Sequence, residues 1–266
     1  MSETVVVAPA KLTLSLRVTG IRADGYHLLD AEMITVDLCD RLEIGPGDGL
    51  EVTGASGLDV PSGDDNLVRR ALAATGRQAF VHLHKRIPAG AGLGGGSADA
   101  AAVLRWAGVT DTESAARLGA DVPFCLVGGR ARVRGVGEQV DPLPFEGVEG
   151  HSYTLLTPPF GVSTVHVYRA WDQLCSTASS SAGPASTRPA SPNDLEAAAL
   201  RVEPRLAAWR DRLGAATGRT PVLAGSGSTW FVPGAYPGEG RVVVTPVAPG
   251  ATGATGRGPR SAGPLG

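Results

Sequence analysis

The run Ile87-Pro88-Ala89-Gly90-Ala91-Gly92-Leu93-Gly94-Gly95-Gly96-Ser97-Ala98-Asp99-Ala100-Ala101-Ala102 constrains this chain more than any other stretch. It opens on proline and carries five glycines among the seven residues from Gly90 to Gly96. It then passes directly into an alanine-rich helix former. Glycine adopts backbone angles that other residues resist and puts no side chain between the backbone and a ligand. A helix start leaves backbone N–H groups unpaired and carries the positive end of the helix dipole. A glycine loop that empties into a helix start is therefore a cradle for an anion, above all a phosphate. Ser97 fits either as the N-cap of a helix over 97–107 or as a hydroxyl near a metal-bound phosphate.

Two common phosphate motifs do not fit. Gly96-Ser97-Ala98 lacks the lysine of the Gly-Lys-Ser/Thr loop. Gly90, Gly92 and Gly95 can be drawn as Gly-x-Gly-x-x-Gly, but that fingerprint belongs to the first strand–helix turn of a parallel βαβ unit. What precedes here is Phe80-Val81-His82-Leu83-His84-Lys85, an alternating strand suited to a sheet with one wet face.

The chain of 266 residues is long enough for one large domain or two moderate ones, and 42% hydrophobic with 19% charged residues suits a globular protein. A net charge of −2 gives no electrostatic case for nucleic acid. No apolar run is long enough for a membrane span and no export signal is read, so no membrane partner is expected. Cys39, Cys125 and Cys175 are too scattered for a metal pair or a disulfide set, which implies a reducing, cytoplasmic setting.

Lys11-Leu12-Thr13-Leu14-Ser15-Leu16-Arg17-Val18 alternates, with Lys11 and Thr13 on the polar, water-facing side of a strand. Tyr26-His27 follows a turn at residues 19–25. It is open to two readings, local packing or stacking and hydrogen bonding on a flat ring. Asn66 caps a helix that Gly76 stops. Asp121 lies between a helix stop at Gly119 and an apolar, strand-like run from Val122, with Pro123 stiffening the turn. It suits an N-cap and suits equally a carboxylate aimed at chemistry. A linker is expected over 141–150, a helix over 164–174, a mobile low-complexity loop over 176–192 and a disordered tail over 246–266. The implied domains are 1–150 and 151–245.

Three separated segments, Pro9-Ala10-Lys11-Leu12 with Asp24-Gly25-Tyr26-His27, the loop Ile87 to Ala98, and Leu118-Gly119-Ala120-Asp121-Val122-Pro123-Phe124, together resemble the GHMP kinases. Ala224-Gly225-Ser226-Gly227-Ser228-Thr229 resembles that family's third, glycine-rich motif. The Gly-Tyr-His and Gly-Ala-Asp-Val-Pro segments are similar to the branch that acts on 4-diphosphocytidyl-2-C-methyl-D-erythritol in the non-mevalonate isoprenoid pathway.

The resemblance implies an α+β fold, with an N-terminal domain like ribosomal protein S5 domain 2, a ferredoxin-like C-terminal domain and a cleft between them. It implies ATP as co-substrate with Mg²⁺, Ser97 being the nearest hydroxyl to that ion, in a monomer or homodimer. Lys11 and Asp121 match the catalytic pair. Pro88, Ala89, Gly90, Ala91, Gly92, Leu93, Gly94, Gly95, Gly96, Ser97 and Ala98 match the ATP loop. Tyr26 and His27 match the residues that hold cytosine, with Thr13, Gly225 and Ser226 also beside the substrate. Thr13 stands where many members carry asparagine, and the stretch between Ala102 and Leu118 is shorter than usual. The remaining alternatives are another small-molecule kinase of the family, acting on mevalonate derivatives, homoserine or a sugar, and a non-catalytic nucleotide-binding homologue.

Overall fold

Two long alternating runs near the N-terminus build the platform on which everything else sits. In the computed structural model, which describes residues 3–54, 60–179 and 191–250, β1 (Thr4–Ile21) and β2 (His27–Gly45) pair antiparallel, from Thr4 opposite Ile44 to Ile21 opposite His27. Pro9 does not end β1, as its missing N–H suggests. The register shifts between Pro9 and Lys11 and the strand continues. The same sheet takes in β3 (Gly49–Thr53), β4 (Phe80–His84), β5 (Arg130–Gly135) and β6 (Gln139–Pro142). β6 occupies the first residues of the expected linker.

Four helices accompany this sheet: α1 (Leu67–Ala74), α2 (Gly95–Trp106), α3 (Thr112–Ala116) and α4 (Val122–Val127). Asn66 caps α1 as expected, its Oδ1 accepting the Val68 N–H at 2.8 Å. The run from Val122 is helix and not strand. Pro123 sits in its first turn, where a missing N–H costs nothing. α2 buries Ala98, Ala100, Ala101, Ala102, Val103 and Leu104, so its small residues let it lie close against β1.

The second sheet has the order β10-β7-β9-β8, all antiparallel: β7 (Tyr153–Leu156), β8 (Val222–Leu223), β9 (Trp230–Pro233) and β10 (Arg241–Val244). Between β7 and β8 run α5 (Thr164–Ser179), α6 (Glu196–Val202) and α7 (Leu206–Thr217). A βαββαβ unit would place a second helix between the last two strands. Here residues 234–240 make that connection without one. α5 outruns its expected end, and most of the 176–192 loop lies outside the described residues.

The segment leading into α6 is tied to β1. Arg17 Nη1 donates to Asp194 Oδ1 at 2.6 Å, and the Val18 N–H donates to Asp194 Oδ2 at 3.0 Å. The first residues of the expected disordered tail are also anchored: the Val247 N–H donates to Thr35 O at 2.9 Å, and Pro246 bridges to Val36. The edge of β2 beyond Ile34, where its pairing with β5 ends, supplies partners that a reading of composition cannot see. Residues 251–266 lie outside the described part. Among the described residues no helix is long and apolar enough to cross a membrane.

Candidate active site

The polar face of β1 is not wet at Lys11. The glycine loop and the 225–229 turn cover it, and Lys11 is 5% exposed. Its N–H donates to Leu93 O at 3.0 Å. Its Nζ lies 3.2 Å from Thr13 Oγ1 and 3.4 Å from Asp121 Oδ2. Glycines make this approach feasible. A Cβ at Gly94 (φ +69°) would stand 2.7 Å from Lys11 Cγ, and one at Gly225 would stand 3.4 Å from Lys11 Nζ. Asp121 occupies the N-cap position of α4, yet its side chain makes no capping hydrogen bond and turns to Lys11 instead.

The helix behind the loop starts two residues earlier than expected. Gly94, in the left-handed region, is its N-cap, so Ser97 lies inside the first turn and does not cap. The first intrahelical donor is Ala98 N–H, to Gly94 O. Among the described residues the N–H groups of Gly95, Gly96 and Ser97 therefore have no partner, and they lie at the cavity wall, where an anion would complete them. The loop is seated on the second sheet's turn: the Thr229 N–H donates to Ala91 O at 3.1 Å, and a Cβ at Gly92 would come 2.2 Å from Ala224 O.

A buried charge cluster closes the base of the loop. Lys85 Nζ donates to Asp40 Oδ2 and, at 2.7 Å, to Asp99 Oδ2. Asp40 Oδ1 accepts the N–H groups of Arg86 and Ile87 at 2.5 and 2.8 Å. Lys85 precedes the loop and Asp99 follows it, so the pair pins both ends. Burial pushes the Asp99 carboxyl up, and the charge of Asp40 adds to the push while Lys85 opposes it. Burial also works against the Lys85 ammonium, but Asp99 and Asp40 outweigh it and hold its pKa above the ordinary value. Nothing in the residue spacing flags this cluster. Lys85 reads as the end of a half-exposed strand.

One cavity of about 870 Å³ gathers Lys11, Tyr26, His27, Asp121, Gly225 and Ser226 with Pro88–Gly92 and Gly94–Ser97. Thr13, Leu93 and Ala98 do not line it. Thr13 is buried behind Lys11, and Leu93 and Ala98 point into the core beneath the loop. Tyr26 is 62% exposed, with the Arg22 guanidinium 5.5 Å from its ring centroid. His27 is held by α5: its Nε2 is 2.7 Å from Asp172 Oδ1, its ring stacks on Tyr168 at 4.6 Å, and Trp171 meets it edge-on at 5.5 Å. Burial and the charge of Asp121 raise the Tyr168 phenol above its usual range. Buried Asn193 fixes the 225–229 turn, its Nδ2 donating to Leu223 O at 2.8 Å and Gly225 O at 2.6 Å. Ser226 Oγ is 2.8 Å from Thr164 Oγ1. Cys125, one turn into α4, is buried, and burial pushes its thiol up to about 12. It is packing rather than a nucleophile.

Among the described residues, no group of three or more His, Cys, Asp or Glu side chains could hold a metal ion by itself. Ser97 faces the cavity from the first turn of α2. That donor set suits Mg²⁺ carried mainly by phosphate oxygens and waters.

Residues 66–129, which contain the loop and Asp121, match the family described as GHMP kinases N terminal domain. A protein of Paracoccus denitrificans (strain Pd 1222), named 4-diphosphocytidyl-2-C-methyl-D-erythritol kinase, is 40% identical over 235 residues, covering 84% of each chain. One of the same name from Pelotomaculum thermopropionicum is 40% identical over 259 residues, covering 85% of this chain and 87% of its own. A crystal structure of 4-(cytidine 5'-diphospho)-2C-methyl-D-erythritol kinase, 37% identical, superposes with a TM-score of 0.65 over 85% of this chain and 88% of that one. With the two-sheet α+β architecture and the loop already described, these likenesses place the chain in the 4-diphosphocytidyl-2-C-methyl-D-erythritol kinase family of the GHMP kinases.

Proposed function

We propose that this protein transfers the γ-phosphoryl group of ATP to the 2-hydroxyl of 4-diphosphocytidyl-2-C-methyl-D-erythritol. The observation that carries the reading is the meeting of Lys11 and Asp121 beside the free N–H groups of the glycine loop. Phosphoryl transfer asks a protein chiefly for positioning and for neutralisation of charge. The N–H groups of Gly95, Gly96 and Ser97 bind phosphate oxygens. Ser97 Oγ is the protein ligand offered to Mg²⁺, which supplies charge neutralisation between the phosphates when bound.

Asp121 Oδ2 accepts the proton of the attacking hydroxyl, or orients that hydroxyl. Lys11 Nζ, 3.4 Å away, stabilises charge on the transferred group. Thr13 Oγ1 holds Lys11 in place. Tyr26 offers a ring face to cytosine and His27 a polar edge. Gly225 and Ser226 close the erythritol end. Among the described residues Cys39, Cys125 and Cys175 form no disulfide, which supports a reducing, cytoplasmic setting.

A coupled ADP-release assay with the cytidyl substrate, run with and without Mg²⁺, tests the proposal. Metal-dependent ADP formation on this substrate, well above that on mevalonate, homoserine or a simple sugar, is the expected result. Equal or better turnover of one of those acceptors would replace the substrate assignment. No turnover of any would leave a nucleotide-binding homologue.

A further inference from the structure

We infer that the Arg169 guanidinium binds the diphosphate of the cytidyl substrate, an inference that rests on the reading that the base lies at Tyr26 and His27 and the erythritol end at Gly225 and Ser226. Among the described residues the lysines and arginines that line the main cavity are Lys11, Lys85 and Arg169. The two lysines are already engaged. Lys11 Nζ is 3.4 Å from Asp121 Oδ2, and Lys85 Nζ is shared between Asp40 and Asp99. The Arg169 guanidinium has no hydrogen-bond or ion-pair partner among the described residues, and the residue is exposed.

Its position on α5 suits that diphosphate. Thr164, at the start of the helix, meets the 225–229 turn, its Oγ1 lying 2.8 Å from Ser226 Oγ. Tyr168 and Asp172, further along, hold the ring of His27. The helix therefore runs from the erythritol end of the cavity to its base end. Val165, Tyr168, Arg169 and Asp172 are spaced i, i+3, i+4 and i+7, the spacing of one helix face, and all four line the cavity. Arg169 stands between the two ends, where the phosphates of the substrate join its erythritol to its ribose.

The charges favour the same placement. Each phosphate of such a linkage keeps one ionised oxygen at neutral pH. Two negative charges thus enter a cavity that Asp121 and Asp172 also line. Like charges brought together weaken binding, and a cation set between them restores complementarity. A guanidinium presents its N–H donors in a planar fork that meets phosphate oxygens two at a time. Arg169 gives up no ion pair of its own to make that contact.

Calorimetric titration of the full chain with cytidine 5'-diphosphate and with cytidine, in the parent, Arg169→Gln and Arg169→Lys, tests the inference. The two ligands share base and ribose, so the ratio of their affinities isolates the phosphates. Arg169→Gln weakens the diphosphate by about tenfold or more, the worth of a lost charge-assisted hydrogen bond, and leaves cytidine unchanged. Arg169→Lys keeps part of the ratio, because an ammonium retains the charge and loses the fork. Raising the salt concentration lowers the ratio in the parent more than in Arg169→Gln, because salt screens an exposed pair.

Steady-state kinetics supply the second readout. In Arg169→Gln, KM for the cytidyl substrate rises and KM for ATP does not. A rise in KM for ATP instead would assign Arg169 to the donor nucleotide and overturn the inference. Equal weakening of cytidine and its diphosphate would make Arg169 a structural residue and overturn it too. If the parent prefers the diphosphate and Arg169→Gln keeps that preference undiminished, the inference fails and the proposed substrate stands. If the parent binds neither ligand, the reading of the two ends of the cavity fails with it.

Discussion

Lys11 Nζ stands 3.4 Å from Asp121 Oδ2, although one residue comes from the middle of β1 and the other from the foot of α4. The fold brings an ammonium and a carboxylate together at the edge of a loop whose Gly95, Gly96 and Ser97 N–H groups have no partner among the described residues. Lys11 is buried, while Asp121 keeps 34% of its side-chain surface open to the cavity. The cation is thus fixed and the carboxylate remains accessible to an incoming hydroxyl.

Gly94→Ala disturbs that arrangement from the loop side. The new methyl would stand 2.7 Å from Lys11 Cγ, in a left-handed backbone region that alanine resists. Turnover falls by about 10²-fold, the scale of an ångström-sized misplacement of a catalytic group. Stability falls by about 1–3 kcal/mol from the strained backbone. Steady-state kinetics and a urea titration check both. Wild-type kinetics would show that Lys11 tolerates the shift.

Tyr26→Ala leaves the fold almost untouched, because the ring is 62% exposed. The change in stability is within about 0.5 kcal/mol. KM for the cytidyl substrate rises while KM for ATP stays put. Equal losses for both ligands would instead make Tyr26 a structural residue.

Lys85→Met strands Asp40 and Asp99 in the interior without their shared cation. Breaking one side of such a buried pair costs about 3–5 kcal/mol. Thermal and denaturant unfolding measure it. A variant as stable as the parent would mean that the carboxylates had found other partners or taken up protons.

Cys125 is the slowest of the three thiols to react. Burial and the nearby charge of Asp121 push it up to about 12 from an ordinary 9.0. Alkylation needs the thiolate, so native Cys125 stays unmodified at neutral pH while exposed Cys175 reacts. The sign for stability follows. The protonated thiol is favoured in the folded state, so its contribution is complete below about pH 9 and is lost as pH climbs toward 12. Mass spectrometry after a timed iodoacetamide pulse reads the order of reaction. Modification of Cys125 before Cys175 in the folded protein would contradict it.

Local pattern made much of this site legible. The glycine loop announced a phosphate cradle because its chemistry lies in one contiguous run. The Asn66 cap is readable for the same reason. Lys11 reads as water-facing, and is not, because alternation tells which residues share a face and not what covers that face. The cover is supplied by residues 92–94 and 225, far along the chain. Asp121 was readable as a constrained carboxylate, but the run after it looked like strand because six apolar residues carry too little periodicity to tell. Asp40, Asp99, Asp172 and Asn193 left no local signal. Each matters through long-range partners: a loop end, an imidazole or turn carbonyls.

The most direct measurement is turnover by the Asp121→Ala variant in the coupled ADP-release assay, with saturating Mg-ATP and cytidyl substrate and with folding checked by thermal melt. The account predicts a loss of at least about 10²-fold in kcat, as expected when a positioned base is removed, with little change in melting temperature. Turnover within a few-fold of the parent, in a variant that melts normally, would contradict it.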